Sequence, residues 1–286
     1  MLCLPHPLTS VASSIAIRMD PSTYESVIAP RYTGRIGKSF VEKFNHGANE
    51  TILDLACRTG NVTVELLHRL GPKGRIIALD NDPEMLNLAR TKVRQEAGKR
   101  IFFATSTPID QWHFEDEVFT SVIGNLAFDE LVDSETTLKG IPRVLTPGGR
   151  LLITRLLRGS FQEVLDMFKE VAFAHHEEKV LQRIATIHER YVEEKTYAAF
   201  FEHLGFDEVT VESMEFSLSF PTGSDVFSDP LVHYIVFKEW EWISQASPQP
   251  EQLLSQVQNT LETYFAGQSV PLTLRYGLLQ GRRAGK

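Results

Sequence analysis

Short apolar runs alternate with stretches of helical periodicity through the first half of the chain. Residues 51–55 (TILDL) form a buried-type run, and 62–70 follow at helical spacing. Gly71-Pro72-Lys73-Gly74 breaks that helix, and 75–79 (RIIAL) is a second apolar run. Asp82-Pro83-Glu84 opens the next helix, Asp82 suiting the N-cap and Pro83 the first helical position. Met85, Leu86, Ala89 and Val93 supply its apolar face. Three further runs lie at 101–104, 121–124 and 150–154. Continuous apolar runs separated by helices predict βαβ units and a parallel sheet covered on both faces.

Beyond residue 155 the pattern changes. Residues 161–173, 179–192 and 197–204 read as helices, the last stopped by Gly205. Residues 209–220 alternate like a strand and end at Pro221. Helical periodicity returns over 225–265, broken at Ser247-Pro248-Gln249-Pro250, with Leu253, Val257, Leu261 and Phe265 on one face. A final strand is expected at 270–278. Two helical insertions therefore interrupt an α/β core that the chain re-enters at its end. Gly140-Ile141-Pro142 is expected to interrupt the helix before the fifth strand.

Composition narrows the class. The chain has 286 residues, 42% hydrophobic and 23% charged, which suits a globular fold. Its net charge of −8 argues against a broad basic face for nucleic acid. Cys3 and Cys57 form no CxxC or Cys/His pair, so neither a disulfide framework nor structural zinc is expected, and a cytoplasmic setting fits. The paired His175 and His176 point different ways on a helix and predict no metal site. No apolar stretch approaches the ~18 residues of a membrane span. The first residues lack the basic start and long apolar centre of a secretory signal.

The turn after the first strand carries the most chemistry. In ILDLACRTGN (52–61) small residues stand where a strand bends into a helix, so a ligand's charged group can approach backbone N–H groups there. Asp80 ends the second strand, placed to accept hydrogen bonds from ribose hydroxyls. Together the two features indicate a nucleoside-bearing cofactor. The dinucleotide fingerprint GxGxxG fails, because its glycine positions hold Ala56, Arg58 and Asn61.

The order of motifs instead resembles the class I, Rossmann-like S-adenosylmethionine (SAM) methyltransferases. ILDLACRTG is close to their first motif and ALDNDPEML (78–86) to their acidic second-strand end. SVIGNLAFDEL (121–131) matches their fourth strand and its exit, and RVLTPGGRLLIT (143–154) their fifth. The likeness covers about residues 24 to 155. LGFDEVTV and VPLTLRYGLL resemble the sixth and seventh strands. The insertion between them is similar to the helical lid of malonyl carrier-protein O-methyltransferase-like members, and ubiquinone-pathway-like members are the other near branch. The resemblance implies a seven-stranded, mostly parallel sheet with an antiparallel last strand and helical lid insertions. It implies a leader at 1–23, a SAM-binding core at 24–157, a helical insertion at 158–196 and core again at 197–224. A lid at 225–268 and a last strand with its tail at 269–286 complete the division.

The implied activity is methyl transfer from SAM to a small molecule or a carrier-bound acyl group. Asp80 would hold the ribose, Ala56 and Gly60 would let the backbone approach the cofactor, and Asp54 would orient its methionine end. Tyr32, from the N-terminal cover, and Asn81, Met85 and Asn125 are further implied contacts. Thr105 or Ser106 stands where the family often places an acidic residue beside the adenine. Asp129 and Glu130, after the fourth strand, are the candidate bases, with a solvated helix start as the alternative. Trp240 and Trp242 are candidate walls of the substrate pocket, or an exposed hinge. Arg58 departs from the family, occupying a glycine position; it could point inward and pair with the SAM carboxylate or with Asp54, or swing outward. A buried unpaired guanidinium is costly, so the outward pose is expected. The departure leaves two rival readings open: a SAM-fold protein that has lost transfer, and a non-methylating enzyme such as a cyclase.

Overall fold

The computed structural model describes residues 19–44, 47, 49–93, 100–106, 112–129, 134–191 and 193–285. Seven strands form one sheet: β1 (Thr51–Leu55), β2 (Arg75–Asp80), β3 (Ile101–Thr105), β4 (Phe119–Asn125), β5 (Leu145–Leu156), β6 (Phe206–Phe220) and β7 (Val270–Arg283). Their order is β3-β2-β1-β4-β5-β7-β6. The first five pair in parallel, and β7 runs antiparallel to both β5 and β6. This is the expected Rossmann-like sheet with its antiparallel last strand.

The apolar runs are continuous because helices cover both faces. On one face Phe40, Leu66, Leu67 and Leu86, from helices Thr33–Lys43, Asn61–Arg69 and Pro83–Lys92, pack on Ile52, Ile76 and Ile123. On the other, Leu138 and Ile141 of helix Ser134–Val144 and Tyr197, Phe200 and Phe201 of helix Glu194–His203 meet Leu53, Val122 and Leu151. Helix Ser134–Val144 runs through Gly140 and Pro142, contrary to expectation. Pro142 falls in its last turn, and the burial of Leu138, Ile141 and Val144 against the sheet holds the helix together.

The second half of the chain builds a helical layer. β7 pairs with β5 only from Tyr276 onward, so residues 270–275 pair with β6 alone. The β6–β7 ribbon thus projects past the carboxyl end of β5. A bare two-stranded ribbon is marginally stable. Here Phe216, Leu218, Phe220, Leu272 and Leu274 are buried with Phe168, Ile184, Trp240 and Val257 in one cluster. Those last four residues come from helices Gln162–Ala174, Glu178–Arg190, 230–244 and Pro250–Tyr264. Both insertions therefore merge into one layer on the side of the sheet where the parallel strands end.

A helix over 21–31 begins inside the stretch read as leader, its N-terminus capped by Asp20, whose carboxylate accepts from the Thr23 amide at 2.9 Å. It contains a π-helical turn at Tyr24–Ile28, and helix 230–244 contains another at His233–Phe237. Trp240 is fully buried among Phe227 and Phe237, and Arg183 lies over the Trp242 ring at 4.7 Å. Trp240 is thus a buried packing residue of the helical layer and not an exposed hinge, and Trp242 packs half-buried against the same layer.

Candidate cofactor site

Strand order reverses between β1 and β4, and such a switch point opens a crevice at the carboxyl ends of the strands. The turn after β1 occupies it. Cys57 N–H donates to the Leu79 carbonyl at 2.9 Å, and Gly60 N–H to the Cys57 carbonyl at 2.8 Å. Three residues of the turn are left-handed: Ala56 and Arg58 at φ 51° and Gly60 at φ 75°. A Cβ on Gly60 would stand 3.1 Å from that of Ala89, so glycine also permits close packing against helix Pro83–Lys92. Gly60 caps helix Asn61–Arg69, whose first N–H groups open toward the turn.

Asp80 closes β2 beneath this turn and is 4% exposed. One carboxylate oxygen accepts from Arg58 N–H at 2.7 Å and the other from Asp82 N–H at 2.9 Å. A carboxylate has about four lone-pair sites, so each oxygen keeps acceptor capacity. That donor-poor, acceptor-rich end fits a ribose diol. Asp54 is fully enclosed on β1 and accepts from the Thr63 hydroxyl at 2.6 Å. Burial pushes its pKa up to about 7; the Thr63 bond opposes this and the nearby Asp80 charge adds to it. Burial likewise pushes the Cys57 thiol up.

The remaining sequence-predicted residues divide. Met85 and Tyr32 are buried in the cluster that joins the N-terminal helix to the helical layer. Asn125 spends its amide within the protein, donating to the Thr33 carbonyl and accepting from the Thr154 hydroxyl, both at 2.8 Å. It ties β4 to helix Thr33–Lys43. Asn81 and Thr105 are exposed beside Asp80, and Ser106 N–H donates to the Asp80 carbonyl at 2.7 Å. Asp129 ends a short 3-10 turn, Ala127–Asp129, directly after β4. Glu130 lies outside the described residues. Among the described residues no cluster of metal-ligating side chains occurs, and no helix is long and apolar enough to cross a membrane.

Arg58 departs from expectation. It does not swing outward: its Nη1 donates to the Tyr234 hydroxyl at 2.7 Å, and its guanidinium lies 5.7 Å from the Tyr24 ring and 6.0 Å from the Tyr234 ring. The aromatic faces and the phenol oxygen offset the desolvation that would otherwise expel it. Tyr234, Glu25 and Lys92 are the site residues that sequence reasoning missed. Lys92 Nζ reaches Glu25 at 2.7 Å and the Asn61 side-chain oxygen at 2.6 Å, fastening the N-terminal helix beside the turn. No local signal marks Tyr234, which lies 176 residues from its partner.

A doubly covered parallel sheet, a left-handed turn after β1 and a carboxylate at the end of β2 define a Rossmann-like fold of the methyltransferase type. The chain belongs to the ubiE/COQ5 methyltransferase family, whose model matches residues 9–219. Similar proteins include the ubiquinone/menaquinone biosynthesis C-methyltransferase UbiE of Wigglesworthia glossinidia brevipalpis, 31% identical over 125 residues, 44% of this chain and 50% of that protein. The demethylmenaquinone methyltransferase of Lactococcus lactis subsp. lactis is 39% identical over 102 residues, 36% of this chain and 40% of that one. The chain thus spans half or less of the length of these two relatives. Among solved structures, the YcgJ protein from Bacillus subtilis matches with a TM-score of 0.55 and 17% identity, covering 88% of this chain and all of that one, a likeness of fold. The match supports the ubiquinone-pathway branch of the sequence resemblance.

Proposed function

We propose that the chain binds SAM in the turn 56–60 and at Asp80, and transfers its methyl group to a ring carbon of a small quinol-type acceptor. The observation that carries this is the Asp80 carboxylate, held by the left-handed turn yet keeping acceptor capacity on both oxygens. SAM supplies an activated methyl. The protein's share is alignment and exclusion of water. Asp80 accepts from the ribose hydroxyls, Ala56 and Gly60 keep the backbone close to the ligand, and the N-terminus of helix Asn61–Arg69 faces its methionine carboxylate. Asp54, through Thr63, sets the first turn of that helix. A hydroquinone acceptor must lose a proton, and Asp129, in the 3-10 turn after β4, is the residue proposed to take it. Residues 24–157, 197–224 and 269–286 form the cofactor core in this reading, and 158–196 with 225–268 form the lid. The net charge of −8 favours a small acceptor over a nucleic acid.

A transfer assay with methyl-labelled SAM and a short-chain demethylmenaquinol under reducing conditions tests this. Label in the quinol ring is expected. Label on a malonyl carrier protein alone would overturn the acceptor. A second reading, a SAM-fold protein without transfer, draws on Arg58 in a glycine position and Asp80 already engaged by backbone. Cofactor binding with no transfer to either acceptor would favour it.

A further inference from the structure

Three elements meet over the cofactor turn, each tied by a cation. Arg58 joins the turn to helix 230–244 through Tyr234. Arg31, on the N-terminal helix, donates to both oxygens of Asp229 at 3.0 Å, and Asp229 caps helix 230–244 by accepting from Leu231 N–H at 2.8 Å. Lys92 ties Glu25 of the N-terminal helix to Asn61, the first residue of the helix that leaves the turn.

Arg58 is the centre of this arrangement. Its backbone N–H touches the Asp80 carboxylate, and its side chain ends at Tyr234, so it spans the gap from the ribose-binding end of β2 to the helical layer. The turn gains nothing from a side chain at that position. At φ 51° glycine would sit without strain, whereas arginine there is strained. What the side chain adds is the bond to Tyr234 and the ring contacts with Tyr24 and Tyr234, whose own rings meet edge to face at 5.9 Å. Both tyrosines belong to π-helical turns, Tyr24–Ile28 and His233–Phe237. Such turns are rare and concentrate where a helix must re-aim side chains for function. Two of them converge on one guanidinium.

We propose that Arg58 is a positioning residue that latches helix 230–244 to the cofactor turn through Tyr234, so that SAM enters and leaves when this contact opens. The proposal rests on the cofactor reading above and adds to it a gate and the pair of residues that form it. Arg58 touches the turn and the lid; Tyr234 transmits the state of one to the other. Opening requires that the Nη1–phenol bond and the contact of the guanidinium with the Tyr234 ring break as helix 230–244 moves off the turn.

Stopped-flow binding of S-adenosylhomocysteine, read by tryptophan fluorescence, tests the latch in wild type, Arg58→Gly, Tyr234→Phe and the double variant. Tyr234→Phe removes one oxygen and keeps the ring, so it separates the latch from packing. The expected result is that association and dissociation rates both rise about tenfold in each single variant, the weight of one hydrogen bond to a charged group. The double variant should be no faster than Arg58→Gly, because that variant already removes the Nη1–phenol bond. A latch that holds wild type shut altogether would show as binding only in the variants, which also supports the proposal. Rates unchanged in Tyr234→Phe, or effects that multiply in the double variant, would overturn it while leaving the cofactor reading intact. No binding in any of the four proteins would overturn both.

Discussion

Asp54 and Asp80 stand on adjacent strands and meet opposite conditions. Asp80 is paid in backbone N–H groups, whereas Asp54 has one hydroxyl and full burial. The ordinary carboxyl value of 3.8 rises to about 7 for Asp54 in the folded state. Between these values the folded protein holds one proton more than the unfolded chain, so this group's contribution to stability is full below about pH 4 and is lost as pH rises through about 7. The slope from one proton is about 1.4 kcal/mol per pH unit. Asp54→Asn keeps an acceptor for Thr63 and cannot ionise. Its stability relative to wild type, measured by urea denaturation at pH 5 and pH 8, should therefore be higher at pH 8. Equal differences at both pH values would contradict the buried, proton-holding Asp54. At this scale the sequence marks Asp54, Asp80 and Gly60 clearly, because their chemistry belongs to one strand end and one turn. It also marks Arg58 as anomalous. It does not reveal the fate of that guanidinium, since Tyr24 and Tyr234 reach it only once distant helices are in place.

The helical layer is fastened within itself as well as to the turn. Glu239, on helix 230–244, accepts from Arg190 and, at 3.0 Å, from the Tyr191 hydroxyl at the end of helix Glu178–Arg190. Its side chain is only 10% exposed, so the pair lies largely out of water. Removing one member of such a pair strands the other. Glu239→Ala should cost about 3 kcal/mol, read as a lower midpoint in urea with the slope unchanged. A loss under about 0.5 kcal/mol, the range of surface changes, would mean that the two insertions are not joined there. The helices after β1 and the parallel strands are predictable from periodicity, which does not single out helices 21–31 and Thr33–Lys43, and the N-cap of helix Pro83–Lys92 forms as expected, with Asp82 accepting from Glu84 N–H at 2.8 Å. The ribbon strands run longer than their apolar runs. The ends beside β5 carry charged residues that pair across the strands, as Arg282 does with Glu208 at 2.9 Å, and apolar periodicity cannot register such pairs. The uninterrupted helix through Pro142 escapes sequence reasoning for a related reason: burial of its apolar face outweighs local propensity.

At the scale of the molecule, the architecture separates two tasks. The parallel strands bring the ends of β1, β2 and β4 to a common edge, where the turn meets Asp80. The β6–β7 ribbon carries a helical layer past that edge and sets Tyr234 over the turn. Motif order foretells the core, and helical periodicity the segments that interrupt it. That the two insertions merge into one layer depends on contacts between segments far apart in the chain, such as Phe168 with Val257, which no local pattern encodes. The account stands on Asp80 as the anchor of the cofactor. Calorimetric titration of S-adenosylhomocysteine into wild type and Asp80→Asn measures this directly. The asparagine keeps an acceptor for the turn and loses the charge that strengthens the ribose bonds. Affinity should fall about 10- to 100-fold, the equivalent of roughly 1.5–3 kcal/mol, in a protein that still unfolds in one cooperative transition, at a lower midpoint because the amide NH2 faces one of the two backbone N–H groups. Equal affinity in the two proteins would contradict the placement of the cofactor.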